Sequence, residues 1–156
     1  MQSNEIILNL LNLNRLKYAR YLFLMTSQVE AITNASEKML TAPKLLEESN
    51  LTQSGMLRLM KADHQKVVRS LEALKQAMVP YGYKTKHDQL VRYLSEISFN
   101  LGLIAQLISD LNTTFLPKVL ESLLRDFNNM KDIFEQLVET LNTKARKELL
   151  REGIEI

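Results

Sequence analysis

The sequence predicts an all-α protein, an antiparallel up-down-up-down four-helix bundle with heptad-type packing whose outer helices are longer than the middle two. In three stretches, apolar residues recur at alternating spacings of three and four, which places each set on one face of a helix. These stretches are Leu57 to Met78, Leu90 to Leu111 and Leu116 to Leu141. The chain has only four glycines and three prolines, too few for a loop-rich fold. The predicted connections of roughly 3–10 residues are typical of a bundle of neighbouring helices.

The first helix is predicted over about residues 4–40. Ser3 and Asn4 are good helix caps, and neither Gly nor Pro occurs before Pro43. We expect Thr41-Ala42-Pro43 to end this helix, because proline is tolerated in a first helical turn but not in a helix interior. A short helical turn over 43–48 follows.

The remaining three helices are predicted over about 52–79, 86–111 and 115–151. Pro80 ends the second helix, and Thr85 with Asp88 has the form of a capping box that opens the third. Pro117 falls in the first turn of the fourth helix, where it is tolerated. All four helices are expected to form one domain over residues 1–156, because a chain of this length supports one core.

Composition argues against catalysis and against a membrane span. There are no cysteines, only two histidines and no clustered carboxylates, so we predict no enzyme activity, no metal site and no cofactor. Residues 6–25 are rich in apolar side chains, but Arg15, Lys17 and Arg20 interrupt them. No signal peptide is recognised, and we expect a cytoplasmic protein.

Among the regularly spaced positions that define the core-facing sides of the three stretches, His64 is the one polar residue. A metal-ligand or proton-carrier role would need a second histidine or a carboxylate on the same face, and none has that spacing. We therefore expect a structural role, with His64 buried and hydrogen-bonded to Gln28 of the first helix.

The spacing of Arg58 and His64 resembles the Arg-x4–6-His motif of HEPN-type ribonucleases, which are also helical bundles. The resemblance would imply RNA cleavage by these two side chains. However, a separation of six residues turns them about 120° apart on a helix. With His64 facing the core, Arg58 would face solvent, which argues against a shared nuclease site.

Surplus apolar side chains predict association with another protein chain. Helix one is apolar on more than one face, and helix three carries only Glu96 as a charge between Arg92 and Asp110. We therefore predict a non-enzymatic adaptor, assembly subunit or self-associating scaffold, either a homo-oligomer or a subunit with a protein partner. The expected interface residues are Ile6, Leu10, Leu13, Phe99, Leu103, Leu107, Leu149 and Leu150.

The alternative function is nucleic-acid binding through the basic face of helix two. Cations there and in the following turn could contact phosphates, and Tyr81 or Tyr83 could stack on a base. The residues concerned are Arg58, Lys61, Lys66, Arg69, Lys84 and Lys86. A net charge of only +2 makes this the second choice, because a dedicated polyanion binder usually carries a larger positive charge.

Overall fold

The computed structural model describes residues 13–48, 52–112 and 114–153, and these residues form four α-helices. The helices are α1 (Lys17–Glu48), α2 (Gln53–Lys75), α3 (Lys84–Ser109) and α4 (Leu116–Arg151), and one turn of 3-10 helix (Leu13–Leu16) precedes α1. No strand occurs in these ranges. The predicted all-α class is confirmed.

Each helix packs mainly against two others. α1 contacts α2 and α4, and α3 also contacts α2 and α4, a pattern that fits a bundle. The core contains most of the predicted apolar positions, including Met60, Leu94, Leu101 and Leu137, all fully buried. The helical periodicity of the sequence therefore identifies the core-facing side of α2, α3 and α4.

α1 begins at Lys17, later than predicted, because a side chain from the far end of the chain supplies its cap. The backbone amides of Tyr18 and Ala19 donate hydrogen bonds to the Glu148 carboxylate of α4, at 3.1 and 2.8 Å. A carboxylate at a helix N-terminus accepts from otherwise unpaired amides and interacts favourably with the helix dipole. Residues 1–12, which the sequence places partly in this helix, lie outside the described residues.

The predicted stop at Pro43 is wrong, because α1 continues through this residue to Glu48 as one helix. Met39 and Ala42, in the turn before the proline, are both buried in the core. Burial of this face holds the turn in the helix despite the backbone hydrogen bond that proline cannot donate. The separate helical turn over 43–48 is accordingly the end of α1.

The ends of the other helices differ from prediction by a few residues. α2 is capped by the Thr52 hydroxyl, which accepts from the Gly55 amide at 3.0 Å, and it ends at Lys75, before the predicted end at residue 79. The predicted capping box is wrong, because α3 begins at Lys84 with Tyr83 at its N-cap and no side-chain cap. Tyr83 is buried, so packing and not capping sets this start. Pro117 lies in the first turn of α4, as predicted.

Candidate functional site

The outward face of α3 is the most apolar predicted interface within the described residues. Phe99 is 70% exposed. Leu103 and Leu107 follow at four-residue intervals, so they lie on the same side of the helix, and both are half-buried against the core. The predicted interface residues of α3 thus share one face, with Phe99 as its most exposed member.

A cleft between α3 and α4 lies beside Phe99 and contains a buried polar cluster. Asn100 Nδ2 donates to Asp126 Oδ2 at 3.1 Å and to Ser122 Oγ at 3.4 Å. Burial raises the pKa of Asp126 to about 6, and the neighbouring Glu96 carboxyl adds to this effect, while Arg125 and Asn100 oppose it. Asp126 therefore binds a proton at a higher pH than an ordinary aspartate does. The sequence interpretation missed this cluster, although Asn100 and Asp126 each adjoin an apolar position.

A second apolar surface is the groove between α1 and α4. Its lining includes Leu22 and Phe23 from α1 and Val138, Ala145 and Leu149 from α4, and Arg146 is the one charged residue among the described residues that line it. Phe23 is 75% exposed, and Leu150, next to the groove, is 59% exposed.

Of the predicted interface residues outside α3, only those of α4 have described side chains. Leu149 and Leu150 lie in the last turn of α4. Ile6 and Leu10 lie outside the described residues, and for Leu13 only the backbone is described. The structure therefore provides one half of that predicted surface, adjoining the groove between α1 and α4.

The basic residues predicted on α2 are exposed, and α1 adds another cation beside them. Lys38 of α1 lines a groove together with Lys66 and Arg69. Arg58 and Lys61 are also exposed on α2. The groove is not purely basic, because Lys66 Nζ lies 3.6 Å from the carboxylate of Asp63, a buried residue.

Lys84 and Lys86 extend the predicted basic region into the first turn of α3. Lys84 is exposed and Lys86 is half-buried. The Lys84 ammonium is 3.1 Å from Asp88 Oδ1. Two of the six predicted cations, Lys66 and Lys84, are therefore partly neutralised by neighbouring carboxylates.

His64 is hydrogen-bonded to α3 and not to Gln28, which corrects the predicted pair. Its Nε2–H donates to the backbone carbonyl of Ser98 at 2.9 Å. The imidazole lies against Gly102, where an added Cβ would be 3.2 Å from Cε1 of the ring. Gly102 thus makes room for the side chain. The one glycine within helix three was the sequence signal for this contact.

The second histidine lies in a polar and aromatic cluster at one end of the bundle. Tyr21 Oη and His87 Nδ1 are 2.6 Å apart, and both side chains are buried. Burial lowers the pKa of His87, with a further contribution from Lys84, and burial raises the pKa of Tyr21. Sequence reasoning missed this pair, although His87 precedes Leu90 by three residues and so continues the apolar spacing of α3.

Aromatic rings and Lys144 complete this end cluster. The rings of Tyr18 and Tyr83 meet edge to face with their centres 5.9 Å apart. Lys144 Nζ lies 5.0 Å from the centre of the Tyr18 ring and 5.2 Å from that of Tyr83. The cluster joins α1, α4 and the start of α3, so its evident effect is to hold the ends of three helices together.

Within the part of the chain that the structure describes, there is no group of three histidine, aspartate or glutamate side chains that could hold a metal ion. No helix in the same ranges is long and apolar enough to cross a membrane.

The fold and its surfaces define an all-α four-helix protein with an exposed apolar face on α3, an apolar groove between α1 and α4, and a basic face on α2. Comparison of the chain with protein-family models, with curated proteins and with solved structures gives no match.

Proposed function

We propose that this chain is a non-enzymatic helical-bundle protein that acts by associating with another protein chain, as an adaptor, assembly subunit or self-associating scaffold. The observation that carries the proposal is the 70% exposure of Phe99 on a face that also carries Leu103 and Leu107. Aromatic side chains are enriched at the centres of protein interfaces, and charged residues are depleted there. The α3 face provides an exposed aromatic side chain, and Glu96 is the one charge between Arg92 and Asp110.

Part of this proposal is the arrangement of the helices as an antiparallel up-down-up-down bundle with heptad-type packing. Contacts at one end support it, because the start of α1 meets both the end of α4 and the start of α3. A cytoplasmic location is also part of the proposal, and the absence of cysteine in the sequence is compatible with a reducing compartment.

The test is the change Phe99→Glu, followed by sedimentation over a range of concentrations. Wild type should sediment as a species larger than a monomer, or should bind its partner, and Phe99→Glu should lose this association with unchanged helical content. A charge at the centre of an apolar interface weakens association, because the carboxylate must give up its hydration when the interface forms.

The matched control is Leu59→Glu, which adds the same charge at an exposed apolar position on α2. It should associate as wild type does. Equal behaviour of Phe99→Glu and Leu59→Glu would contradict the assignment of the interface to α3.

A second candidate is the accessory nucleic-acid-binding function of the basic face. It is favoured by one observation, that Lys38 lies with Lys66 and Arg69 along the groove between α1 and α2. The cation from α1 extends the predicted face across two helices. The salt dependence of binding distinguishes this function from apolar association, since binding to phosphates weakens steeply as salt is added.

A further inference from the structure

The connection between α2 and α3 presents two apolar side chains to solvent. Met78 is 80% exposed and Tyr81 is 94% exposed. These are the largest exposures among the large apolar side chains of the described residues. An apolar side chain held in water in this way gains free energy when another apolar surface covers it.

Buried residues on both sides of Tyr81 hold the turn in place. Pro80 and Tyr83 are buried, and the Tyr83 amide donates a hydrogen bond to the Pro80 carbonyl at 3.1 Å. Gly82 has a φ of +91°, which the third position of a type II turn requires and which favours glycine. The exposure of Tyr81 therefore follows from the shape of an anchored turn, and a partner can bind it without first ordering the chain.

Exposed lysines surround this turn. Lys84 follows it directly as the first residue of α3. The ammonium groups of Lys17 and Lys144 lie 5.1 and 5.0 Å from the centre of the Tyr18 ring, and that ring meets the ring of Tyr83 edge to face. All three lysines are exposed, so their charges are available to a partner that covers the turn.

Cations outnumber carboxylates in the turn and in the helix ends that meet around it, residues 15–18, 72–88 and 144–152. Two of the carboxylates are already engaged, because Glu148 caps α1 and Asp88 pairs with Lys84. This end of the bundle is therefore positively charged. The cations are Arg15, Lys17, Lys75, Lys84, Lys86, Lys144, Arg146, Lys147 and Arg151, and the carboxylates are Glu72, Asp88, Glu148 and Glu152.

The connection between α3 and α4 exposes apolar side chains without this charge. Leu111 is 74% exposed and Phe115 is 55% exposed. Residues 104–121 contain Lys118 as their one cation, together with Asp110 and Glu121. The combination of exposed apolar residues with surrounding cations is thus a property of the α2–α3 connection, and the α3–α4 connection provides a matched control.

We propose that the connection between α2 and α3 docks on the surface of an anionic lipid bilayer, with Met78 and Tyr81 entering the headgroup region and the surrounding cations facing the lipid phosphates and carboxylates. Tyrosine is enriched at the boundary between lipid and water, because its ring is apolar and its hydroxyl is polar. Each Lys or Arg close to an anionic surface strengthens binding about fivefold. The cytoplasmic leaflet carries anionic lipids, which suits the proposed cytoplasmic location.

A bilayer accounts for both apolar side chains together with the cations. A nucleic-acid partner could stack a base on Tyr81, but this would leave Met78 in water. The docking surface shares no residue with the α3 face around Phe99, so vesicle binding and the proposed association through α3 are tested separately.

The experiment uses the full chain and vesicles of phosphatidylcholine, either alone or with an equal amount of phosphatidylserine. Binding is measured by sedimentation of the vesicles with the protein. Because the sequence contains no tryptophan, the change Tyr81→Trp introduces one indole whose emission wavelength and iodide quenching report insertion. Phe115→Trp is the matched reporter in the α3–α4 connection.

Two pairs of changes separate the apolar contribution from the electrostatic one. The apolar pair is Met78→Ser with Tyr81→Ser, and its control is Leu111→Ser with Phe115→Ser. The charge pair is Lys84→Gln with Lys86→Gln, and its control is Lys118→Gln with Lys131→Gln, which removes two exposed cations of α4. Helical content is measured for every variant.

Wild type should bind the vesicles that contain phosphatidylserine and not those of phosphatidylcholine alone. Binding should weaken at least tenfold with the apolar pair and about tenfold with the charge pair, while both controls bind as wild type does. On the anionic vesicles, the emission of Tyr81→Trp should move to shorter wavelength and its iodide quenching should fall. The emission of Phe115→Trp should not change.

Four results would overturn the proposal. The first is a wild type that does not bind the anionic vesicles. The second is binding without an emission shift in Tyr81→Trp, which would mean adsorption through charge alone. The third is equal binding by wild type and by the Met78→Ser, Tyr81→Ser variant. The fourth is a Tyr81→Trp emission that responds to single-stranded DNA and not to vesicles, which would assign the turn to nucleic acid.

Discussion

His87 is buried against Tyr21, and protonation of its ring has to be accommodated inside the bundle. Its 2.6 Å contact with Tyr21 Oη and its 1% exposure leave little room for water. The lowered pKa means that the folded protein binds a proton less readily than the unfolded chain does. Stability from neutral His87 is therefore present above the unfolded pKa of about 6.5 and is lost as the pH falls below it.

The change His87→Gln should remove this acid sensitivity, because glutamine does not titrate and can still hydrogen-bond to Tyr21. The measurement is the urea unfolding free energy of wild type and variant between pH 7.5 and pH 5. We expect the difference between the two proteins to shift in favour of the variant as the pH falls. A difference that is independent of pH would contradict the role assigned to His87.

Asp126 has the opposite pH dependence. Its pKa is raised from 3.8 to about 6. Between these two pH values the folded protein keeps a proton on Asp126 that the unfolded chain has released. Stability from this proton is fully present below the unfolded pKa and is lost as the pH rises through about 6. The effects of His87 and Asp126 therefore partly cancel in the wild-type protein between pH 4 and pH 7.

The change Asp126→Asn should stabilise the protein above pH 7 by about 1 to 2 kcal/mol, because the amide carries no charge beside Glu96. The gain should shrink as the pH falls below about 6, where wild-type Asp126 is protonated. The measurement is the urea unfolding free energy of wild type and of Asp126→Asn at pH 8 and pH 4.5. A gain of equal size at both pH values would show that charge is not its cause.

At the scale of the elements, α2 and α3 approach each other through His64 and Gly102. The sequence interpretation placed His64 on the buried side of α2. It chose the wrong partner, because Gln28 and Ser98 belong to different helices and their distances from His64 depend on how those helices pack. The observed contact depends on the absence of a Cβ at residue 102.

A double-mutant cycle tests this contact. Gly102→Ala adds about 1 kcal/mol of helix propensity, but its Cβ displaces the imidazole and weakens the His64 bond to Ser98, which is worth about 1 kcal/mol. We expect a net change near zero in wild type and a clear gain in a His64→Ala background. Urea unfolding of the four proteins gives the coupling energy. Equal effects of Gly102→Ala in both backgrounds would mean that the imidazole does not constrain this position.

For the molecule as a whole, charge is distributed unevenly although the net charge is small. Cations of α2 form one exposed face, while the chain between Arg92 and Asp110, which includes most of α3, carries Glu96 as its one charge. This separation permits a test of the nucleic-acid alternative without disturbing the apolar interface, because the two surfaces share no residue.

Four cations of the basic face can be replaced by glutamine together, namely Arg58, Lys61, Lys66 and Arg69. We expect the unfolding midpoint to stay within a few degrees of wild type, since exposed charges contribute under about 0.5 kcal/mol each. The matched control replaces four exposed cations of α4, namely Lys118, Lys131, Lys147 and Arg151.

If the basic face binds DNA or RNA, the α2 variant should lose binding and show a flatter salt dependence, and the α4 control should not. Binding is measured by titration of labelled DNA and RNA at several salt concentrations. Failure of the wild type to bind either one at low salt would remove this function from consideration.

The sequence by itself determined the all-α class, the number of helices and the buried sides of α2, α3 and α4. Periodicity is a local property, and burial of an apolar stripe is favourable with any partner helix that covers it. This is why Leu94, Leu101 and Leu137 were identified correctly before any packing was known.

Tertiary structure alone decided where α1 begins and which partners the buried polar groups take. The Glu148 cap on Tyr18 and Ala19 joins positions about 130 residues apart in the sequence, and the partners of His64, His87 and Asp126 all come from other helices. A buried polar group is stable only with a partner at hydrogen-bond distance. That distance depends on how the helices align with one another, which no single helix encodes.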